Sequence, residues 1–268
     1  TVLMTSATVE TFVIGDVDGV KTGDAGEVSW TAYTTNDNTA PPDTSALALS
    51  TRDFLTFKNI CFISSSQPIV AASAGSTDIK FTRCSFVTGL KVASTLFSVT
   101  IGANVAANWV IDSCFFLGGS SISLLFSLTR PSAADFNYNI VIKNSSIICP
   151  SGSPIFISAT GANSFKGGGV TIYNCFGFGG SPFLEIGNVN VSTTIPCNIY
   201  NCYIYCGATA LTANTSGQLI EDYNIICGGA TPRSNVTAGT HSISDGSIAP
   251  LFFTGFEYSG VGSNLMPF

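Results

Sequence analysis

Carboxylates in the middle of the chain are where catalysis would be sought first, because paired Asp and Glu side chains perform acid–base chemistry on sugars. Between residues 54 and 230 the acids are Asp78, Asp112, Asp135, Glu185, Glu221 and Asp222. Glu221 and Asp222 are adjacent, so on a β-strand their side chains point to opposite faces. Glu185 has no acidic neighbour in the sequence. No catalytic pair is evident, and we predict that the chain is not an enzyme and binds no cofactor.

His241 is the single histidine, and it is therefore the only possible base of a Ser-His-Asp triad. Asp245 is close to it in sequence, but no Gly-x-Ser-x-Gly motif supplies a nucleophile. A metal site built from several histidines is excluded within one chain. We interpret His241 as a residue of a surface loop.

The N-terminal acids have part of the spacing of a calcium-binding loop. The acids at places 1, 3, 9 and 12 of such a loop are Asp16, Asp18, Asp24 and Glu27. Place 5 is Val20, place 6 is Lys21 where these loops have Gly, and no flanking helices are apparent. A calcium site and a solvated acidic turn both stay open.

Charge is scarce and unevenly distributed along the chain. Only 10% of the residues are charged and 45% are hydrophobic, which predicts a large buried core. Residues 1–53 contain eight acids and two bases, so they carry the whole net charge of −6. Clustered Lys and Arg are absent from the sequence, which argues against nucleic-acid binding. No apolar run reaches the roughly 18 residues that a membrane span needs.

A six-residue pattern recurs along the chain: apolar, any, Asn/Asp/Arg, small or apolar, any, usually apolar. Residues 57–62 and 199–204 are examples. The third places form a column that consists of Asn59, Arg83, Asp112, Asn144, Asn174, Asn201 and Asp222. Its members are 24, 29, 32, 30, 27 and 21 residues apart, and this period indicates a solenoid of stacked repeats.

The segments around this column are predicted to be β-strands. Their apolar residues are Ile, Val and Phe, and Gly, Ser, Asn and Pro separate them. Asn and Asp tolerate the left-handed backbone conformation, so the column marks a tight bend between two strands of each coil. Stacked Asn side chains can then hydrogen-bond along the solenoid axis. The pattern resembles the asparagine ladder of right-handed parallel β-helix proteins of the pectate-lyase-like superfamily, over roughly residues 54–230.

The resemblance implies an all-β fold, a single-stranded right-handed parallel β-helix, and the repeats predict about seven to nine coils. Residues 1–53 are expected to be an N-terminal cap or docking segment, residues 54–230 the β-helix, and residues 231–268 a C-terminal cap or docking segment. Enzymes of this superfamily use clustered aspartates, or aspartates that hold calcium together with Arg or Lys. The matching coils offer neither set, which indicates a non-catalytic member.

Three cysteines, Cys84, Cys175 and Cys202, directly follow the column and are expected to point inward as core thiols. Strands of neighbouring coils lie about 4.8 Å apart. A disulfide needs Cβ atoms about 3.8 Å apart, so a bond between neighbours would require distortion. Cys61 and Cys114 lie one place later. Free core thiols and one or more disulfides formed in an oxidising compartment both stay open.

Two functions are compatible with such a solenoid. The first is a structural extracellular, cell-surface or virion-appendage protein, which self-assembles head to tail into a filament or sheath by β-augmentation at the solenoid ends. The second is a carbohydrate- or receptor-binding β-helix similar to tailspikes and adhesins, with a glycan held by Tyr173, Tyr200, Tyr203 and Tyr205. A polysaccharide lyase or hydrolase is a weaker alternative.

Overall fold

The structure is a computed structural model of the 268-residue chain. It describes residues 10–16, 19–20, 28–32, 47–49, 53–64, 70–73, 76–88, 95–100, 107–118, 124–130, 138–149, 153–159, 169–179, 181–187 and 193–245. These residues form 25 β-strands, and no helix occurs among them. A bilayer-spanning apolar helix is accordingly not found in the described ranges.

The strands form three parallel sheets, which we call sheets A, B and C. Sheet A consists of β1 (Thr11–Ile14), β4 (Leu55–Lys58), β7 (Ile79–Thr82), β10 (Ala107–Asp112), β13 (Tyr138–Lys143), β16 (Val170–Tyr173), β19 (Cys197–Tyr200) and β22 (Leu219–Asp222). Sheet B consists of β2 (Val28–Ala32), β5 (Ile60–Ser64), β8 (Ser85–Thr88), β11 (Phe115–Leu117), β14 (Ser146–Cys149), β17 (Phe176–Gly179), β20 (Tyr203–Cys206), β23 (Ile225–Cys227) and β25 (Ile243–Asp245). Sheet C consists of β3 (Leu47–Ala48), β6 (Val70–Ser73), β9 (Thr95–Thr100), β12 (Leu124–Arg130), β15 (Ser153–Ala159), β18 (Leu184–Ile186), β21 (Leu211–Ala213) and β24 (Arg233–Ser234).

Consecutive strands lie in successive sheets, so the chain passes through sheets A, B and C in turn. From β1 to β21, each strand pairs in parallel with the strand three places further along the chain, and β23 pairs with β25. Parallel strands need a long crossover, and here the crossover is the passage through the other two sheets. The predicted all-β architecture of stacked parallel strands is therefore confirmed.

The core lies between the three sheets and is filled by alternate side chains of strands such as β14 and β16. Aromatic rings stack from strand to strand within it. The ring centroids of Phe57 and Phe81 are 5.1 Å apart, those of Phe62 and Phe86 are 5.2 Å apart, and Phe116 continues the second stack at 4.9 Å. All five rings are buried. Because burial of one such side chain contributes about 1.5–3 kcal/mol, these stacks are a main source of stability.

A column of left-handed residues forms the bend between sheets A and B, as the repeat predicted, but two of its members differ from the prediction. The residues with positive φ at this bend are Asn59, Arg83, Ser113, Asn144, Asn174, Asn201 and Tyr223. Asp112 and Asp222 each precede the left-handed residue and are the last residues of their strands. The reason is the core register: Ile111 pairs with Phe81, and Glu221 pairs with Ile199, so each of these repeats is shifted by one residue.

The segments predicted as caps also contribute strands to the three sheets. The described part of residues 1–53 supplies β1, β2 and β3, which pair in register with the next strand of their sheets. At the other end, β24 and β25 extend sheets C and B. Residues 246–268 of the predicted C-terminal segment lie outside the described residues.

Candidate functional site

An exposed ladder of side chains runs along the bend between sheets A and B. Asn201 donates from Nδ2 to Oδ1 of Asn174 (2.5 Å), and Asn174 donates likewise to Asn144 (3.2 Å). Asn144 in turn donates to Oδ1 of Asp112 (2.8 Å), whose Oδ2 lies 3.2 Å from Lys143 Nζ. Asp112 therefore belongs to the side-chain ladder, although the left-handed backbone position falls on the next residue. These contacts join neighbouring strand levels, so the ladder has a structural role.

A second, buried column directly follows the left-handed residues. It consists of Ile60, Cys84, Cys114, Ser145, Cys175, Cys202 and Asn224. Cys114 was predicted to lie one place later and belongs here because Ser113, not Asp112, occupies the bend. Polar members of the column bond to the backbone: Ser145 Oγ donates to the Lys143 carbonyl (2.7 Å) and accepts from the Cys114 N–H (3.0 Å).

All nine cysteines are free and buried, which includes the predicted core thiols Cys84, Cys175 and Cys202. Cys175 Sγ lies 3.2 Å from the carbonyl oxygen of Tyr173, and Cys202 Sγ lies 3.3 Å from that of Tyr200. Burial raises the pKa of the Cys197 thiol to about 11. Since the thiolate is the reactive form of cysteine, this shift favours a packing role over a catalytic one for Cys197.

The four tyrosines predicted to contact a glycan lie on outward positions of two different sheets. On sheet A, Tyr173 stacks on Tyr200 with ring centroids 5.2 Å apart and planes inclined by 2°. On sheet B, Tyr203 stacks on Phe176 at 5.8 Å, and Tyr205 stacks on Phe178 at 5.4 Å. Each ring thus covers a face of its neighbour.

A sugar binds to an aromatic side chain mainly through an open ring face. The stacking reduces the number of open ring faces that these tyrosines present. The most exposed of the four is Tyr200, at 39%. Its partner in the following strand is the much smaller Asp222, so one face of the Tyr200 ring has no aromatic neighbour there. Of the predicted glycan contacts, Tyr200 is consequently the one with the best geometry.

A buried carboxylate lies where the core ends at the C-terminal end of the solenoid. Glu221 takes the inward place that Ile199 holds in the preceding strand, and its side chain is 0% exposed. Its two oxygens accept four hydrogen bonds, from Arg233 Nε (2.6 Å), Asn224 Nδ2 (2.8 Å), the Gly239 N–H (2.8 Å) and Ser242 Oγ (2.5 Å). The Arg233 side chain is 10% exposed and also donates to Ser244 Oγ. We call these six residues the C-terminal network.

The electrostatics of this network favour the ionised form of Glu221. Burial raises the pKa of Glu221, but the hydrogen bonds from Ser242, Asn224, the Gly239 N–H and Arg233 outweigh it and hold the pKa below its ordinary value of 4.5. A carboxylate that is fully buried and engaged by four donors does not meet a substrate. The network therefore closes the core.

Asp222 points to the opposite face from Glu221, as two adjacent strand residues should, and pairs with His241. Asp222 Oδ2 lies 2.9 Å from His241 Nδ1, while Oδ1 accepts from the backbone N–H groups of His241 and Tyr223. Hydrogen bonds from His241 lower the pKa of Asp222. The Tyr223 ring stacks on His241 with centroids 4.3 Å apart. His241 is half exposed, in line with a surface position, but its partner is Asp222 and not Asp245.

This pair does not form a catalytic triad. Thr240 Oγ1 lies 3.1 Å from His241 Nδ1, the same nitrogen that meets Asp222. A triad requires the acid on one ring nitrogen and the nucleophile on the other. An open cavity of about 370 Å³ lies beside β22, between residues 216–222 and 237–240. Its carboxylates are Glu221 and Asp222, both already engaged by other groups.

The N-terminal end of the core is built differently. The inward-facing residues of β1 and β2 include Val13 and Trp30, which are only partly buried against the core, and Val28, which is 38% exposed. The Trp30 ring stacks on Phe62 at 5.8 Å, so one side of Trp30 is covered by the next strand of sheet B. This end consequently presents apolar core side chains to solvent.

The predicted calcium loop is only partly described: Asp18, Asp24 and Glu27 lie outside the described residues, and Asp16 alone is within them. In the described part of the chain, no group of three His, Cys, Asp or Glu side chains is arranged to hold a metal ion. No protein-family model, no curated protein and no solved structure matches this chain. Function is therefore inferred from the geometry alone.

Sequence reasoning missed the C-terminal network and the open N-terminal end. A signal for the network was present, because a Glu one residue away from the expected inward Ile220 marks a place where the register can shift. Arg233 gave no signal, since it lies outside the repeat and meets Glu221 only in three dimensions.

Proposed function

We propose that the chain is a structural subunit of an extracellular filament, sheath, cell-surface layer or virion appendage, and that it self-associates through the ends of its solenoid. We further propose that the solenoid is a right-handed parallel β-helix of about seven to nine coils, a non-catalytic relative of the pectate-lyase-like superfamily. The handedness is supported by the strong preference of parallel crossover connections for the right-handed form.

The observation that carries this proposal is where apolar surface is exposed. Among the side chains that the structure describes, the exposed large hydrophobic residues are Phe12, Ile14, Val20, Val28, Tyr200, Ile220, Tyr223, Ile225 and Ile243. In the part of the chain whose side chains the structure describes, all of them lie in or beside the first strands or near the last strands, and none lies between residues 29 and 199. Exposed apolar clusters commonly mark contact surfaces. Both ends also carry strand edges, which can pair with another chain.

A structural role is also supported by how the polar groups are used. The amides at the bend hydrogen-bond to each other, the thiols are buried, and the two adjacent carboxylates Glu221 and Asp222 are engaged on opposite faces of β22. Such groups hold strand levels together. They are not aimed at a common point where a substrate would react.

Negative-stain electron microscopy of the purified protein over a concentration series tests the proposal. One solenoid, with nine strand levels in sheet B, is about 40 Å long. We expect objects of at least twice this length, whose proportion rises with concentration. Single rods at every concentration would refute self-association.

Glycan binding is a second candidate, and the open ring face of Tyr200 is the observation that favours it. We expect a Tyr200→Ala variant to lose any glycan binding, because aromatic side chains contribute through their exposed faces. Tyr205→Ala is a matched control, since Tyr205 stacks on Phe178 and lies on the other sheet. A glycan array that detects no binding, or equal binding by both variants, would rule out this site.

A further inference from the structure

The N-terminal end of the solenoid is flush and open. Strands β1, β2 and β3 are each the outermost strand of their sheet, so all three sheets begin at the same level. Each of these strands has a partner on one edge only in the described chain. Unpaired strand edges are templates for pairing with another chain.

Apolar side chains lie inside this ring of strand edges. Val13 and Trp30 are partly buried, and Val28 is 38% exposed although it faces the core. On the outer wall of the same level, Phe12 and Ile14 are 51% and 59% exposed. A second apolar end placed against this one would remove both the core residues and the strand edges from water.

The C-terminal end, as far as the structure describes it, is neither flush nor open to apolar core side chains. Sheet B continues to β25, one level beyond β22, the last strand of sheet A. Residues 239–241 lie against β22 instead of a ninth strand: a Cβ added at Gly239 would come within 2.3 Å of the Glu221 carbonyl oxygen. The core beneath is closed by the C-terminal network. This end is therefore stepped and lined by polar groups.

A head-to-tail stack is hindered by this difference. If β1 of a second copy continued sheet A on β22, its β2 would fall at the level that β25 already occupies in sheet B. A flush apolar end fits another flush apolar end better, and the only such end in the described chain is the N-terminal one.

We infer that two copies of this chain join through their N-terminal ends around a two-fold axis, and that this two-copy rod is the unit of assembly. The inference rests on the proposed function, since it specifies which ends meet. A two-fold axis perpendicular to the solenoid makes the facing strands antiparallel, so sheets that are parallel within each copy pair antiparallel across the contact. Both stepped C-terminal ends then lie at the outer tips.

The pairing has an electrostatic signature. Each copy carries a net charge of −6, all of it contributed by the sequence of residues 1–53, so two copies repel each other. Apolar contact must offset their mutual repulsion, which salt screens. Association through the N-terminal ends should therefore strengthen as ionic strength rises.

Size-exclusion chromatography with light scattering, over a concentration series at low and high salt, tests the inference. We expect the mass to reach a plateau at two copies and the dimer fraction to rise with salt. Val28→Asp should reduce dimerisation at least tenfold, because it places a charge in the contact. Ile243→Asp is the matched control: Ile243 is 60% exposed on the outer wall near the other end, and its variant should dimerise normally.

The outcomes separate this inference from the proposed function. Open-ended growth without a plateau, or loss of association in Ile243→Asp but not in Val28→Asp, would overturn the two-fold contact and leave self-assembly intact. A monomer under all conditions would overturn both. Circular dichroism and thermal melting of each variant establish that it is folded, and Trp30→Lys gives a second probe of the same contact if Val28→Asp does not fold.

Discussion

The C-terminal end of the solenoid closes its core with the buried Glu221 carboxylate and four hydrogen-bond donors, whereas the N-terminal end leaves Val13, Val28 and Trp30 partly exposed. Every solenoid must cover its core at both ends, because the terminal strands have no neighbouring strand to cover their edges and the core beneath them. Polar groups at the end of the core form a surface that water can solvate. An apolar end remains in contact with water unless a partner covers it. We therefore assign different roles to the two ends.

The closed end also shows what a buried ion pair contributes. Desolvation of Glu221 and Arg233 is costly, and pairs of this kind are often no more stable than well-packed apolar residues. The pair does fix one arrangement, because Glu221 in the core column is tolerable only when Arg233 and its neighbours fold back over it. We expect the network to determine the path of residues 233–245.

Removal of one partner of the ion pair should open the C-terminal end of the core. Arg233→Met leaves the Glu221 carboxylate buried without its cation, a change that costs about 3–5 kcal/mol. Hydrogen exchange of residues 219–245 should increase strongly, while the central strands keep their protection. A double variant, Glu221→Leu with Arg233→Met, should recover most of the loss. If hydrogen exchange of residues 219–245 increased equally in the single and double variants, loss of the ion pair would not be the cause of the opening.

Truncation of stacked aromatic residues should cost more stability in the interior of the solenoid than at its N-terminal end. Phe62→Ala removes a fully buried ring and should lower the free energy of unfolding by about 3–5 kcal/mol. Trp30→Ala removes the larger ring that stacks on it, but Trp30 is only partly buried and should cost clearly less in the monomer. Chemical denaturation of dilute protein measures both, and a larger loss for Trp30→Ala would mean that the N-terminal end is covered.

Substitution of a left-handed Asn at the bend between sheets A and B should cost a similar free energy of unfolding at each level of the solenoid, unlike substitutions at the ends. Asn174 has a φ of 53° and hydrogen-bonds to both ladder neighbours. Asn174→Ala should cost about 2 kcal/mol, of which roughly half is left-handed strain. Asn174→Gly keeps the backbone conformation accessible and should recover that half. If denaturant titrations gave the same loss of unfolding free energy for Asn174→Ala and Asn174→Gly, the side-chain ladder alone would account for the contribution of Asn174.

Acidification should weaken the closed end before it affects the rest of the molecule. The folded-state pKa of Glu221 lies below its ordinary value of 4.5, so its contribution to stability is present above that pH and is lost as the pH falls below it. Asp222, whose pKa is also lowered, acts in the same direction. Hydrogen exchange of residues 219–245 should rise between neutral pH and pH 3 more than that of β13 or β16. Glu221→Gln should show a smaller change with pH.

The sequence predicts the period, the parallel strands and the bend between sheets A and B, because these depend on local and repeated features. Apolar alternation and left-handed Asn residues recur at every level, so an error at one level does not change the fold. At Asp112 the prediction was one residue wrong, since Val110 and Ile111 are both β-branched and the pattern cannot tell which one faces the core. Pairing with Phe81 and Ile142 settles that choice in favour of Ile111.

The ends could not be predicted in the same way, because their interactions are not repeated. Ile220 fits the apolar place of the repeat better than Glu221, and the opposite register becomes favourable through the donors to Glu221, most of which, like Arg233, come from a later segment. The exposure of Val28 likewise depends on β2 being the outermost strand of sheet B among the described residues, which residue types alone do not reveal.

Distance measurement between spin labels on two copies tests most directly whether the ends have the roles assigned to them. Phe12→Cys and Ile243→Cys place labels at exposed positions near opposite ends, and the nine native thiols are buried. In the dimer, the Phe12 labels should lie closer together than about 40 Å, the length of one solenoid. The Ile243 labels should be separated by about twice that length or lie beyond detection. A short distance between Ile243 labels, or between labels at opposite ends of two copies, would contradict the account.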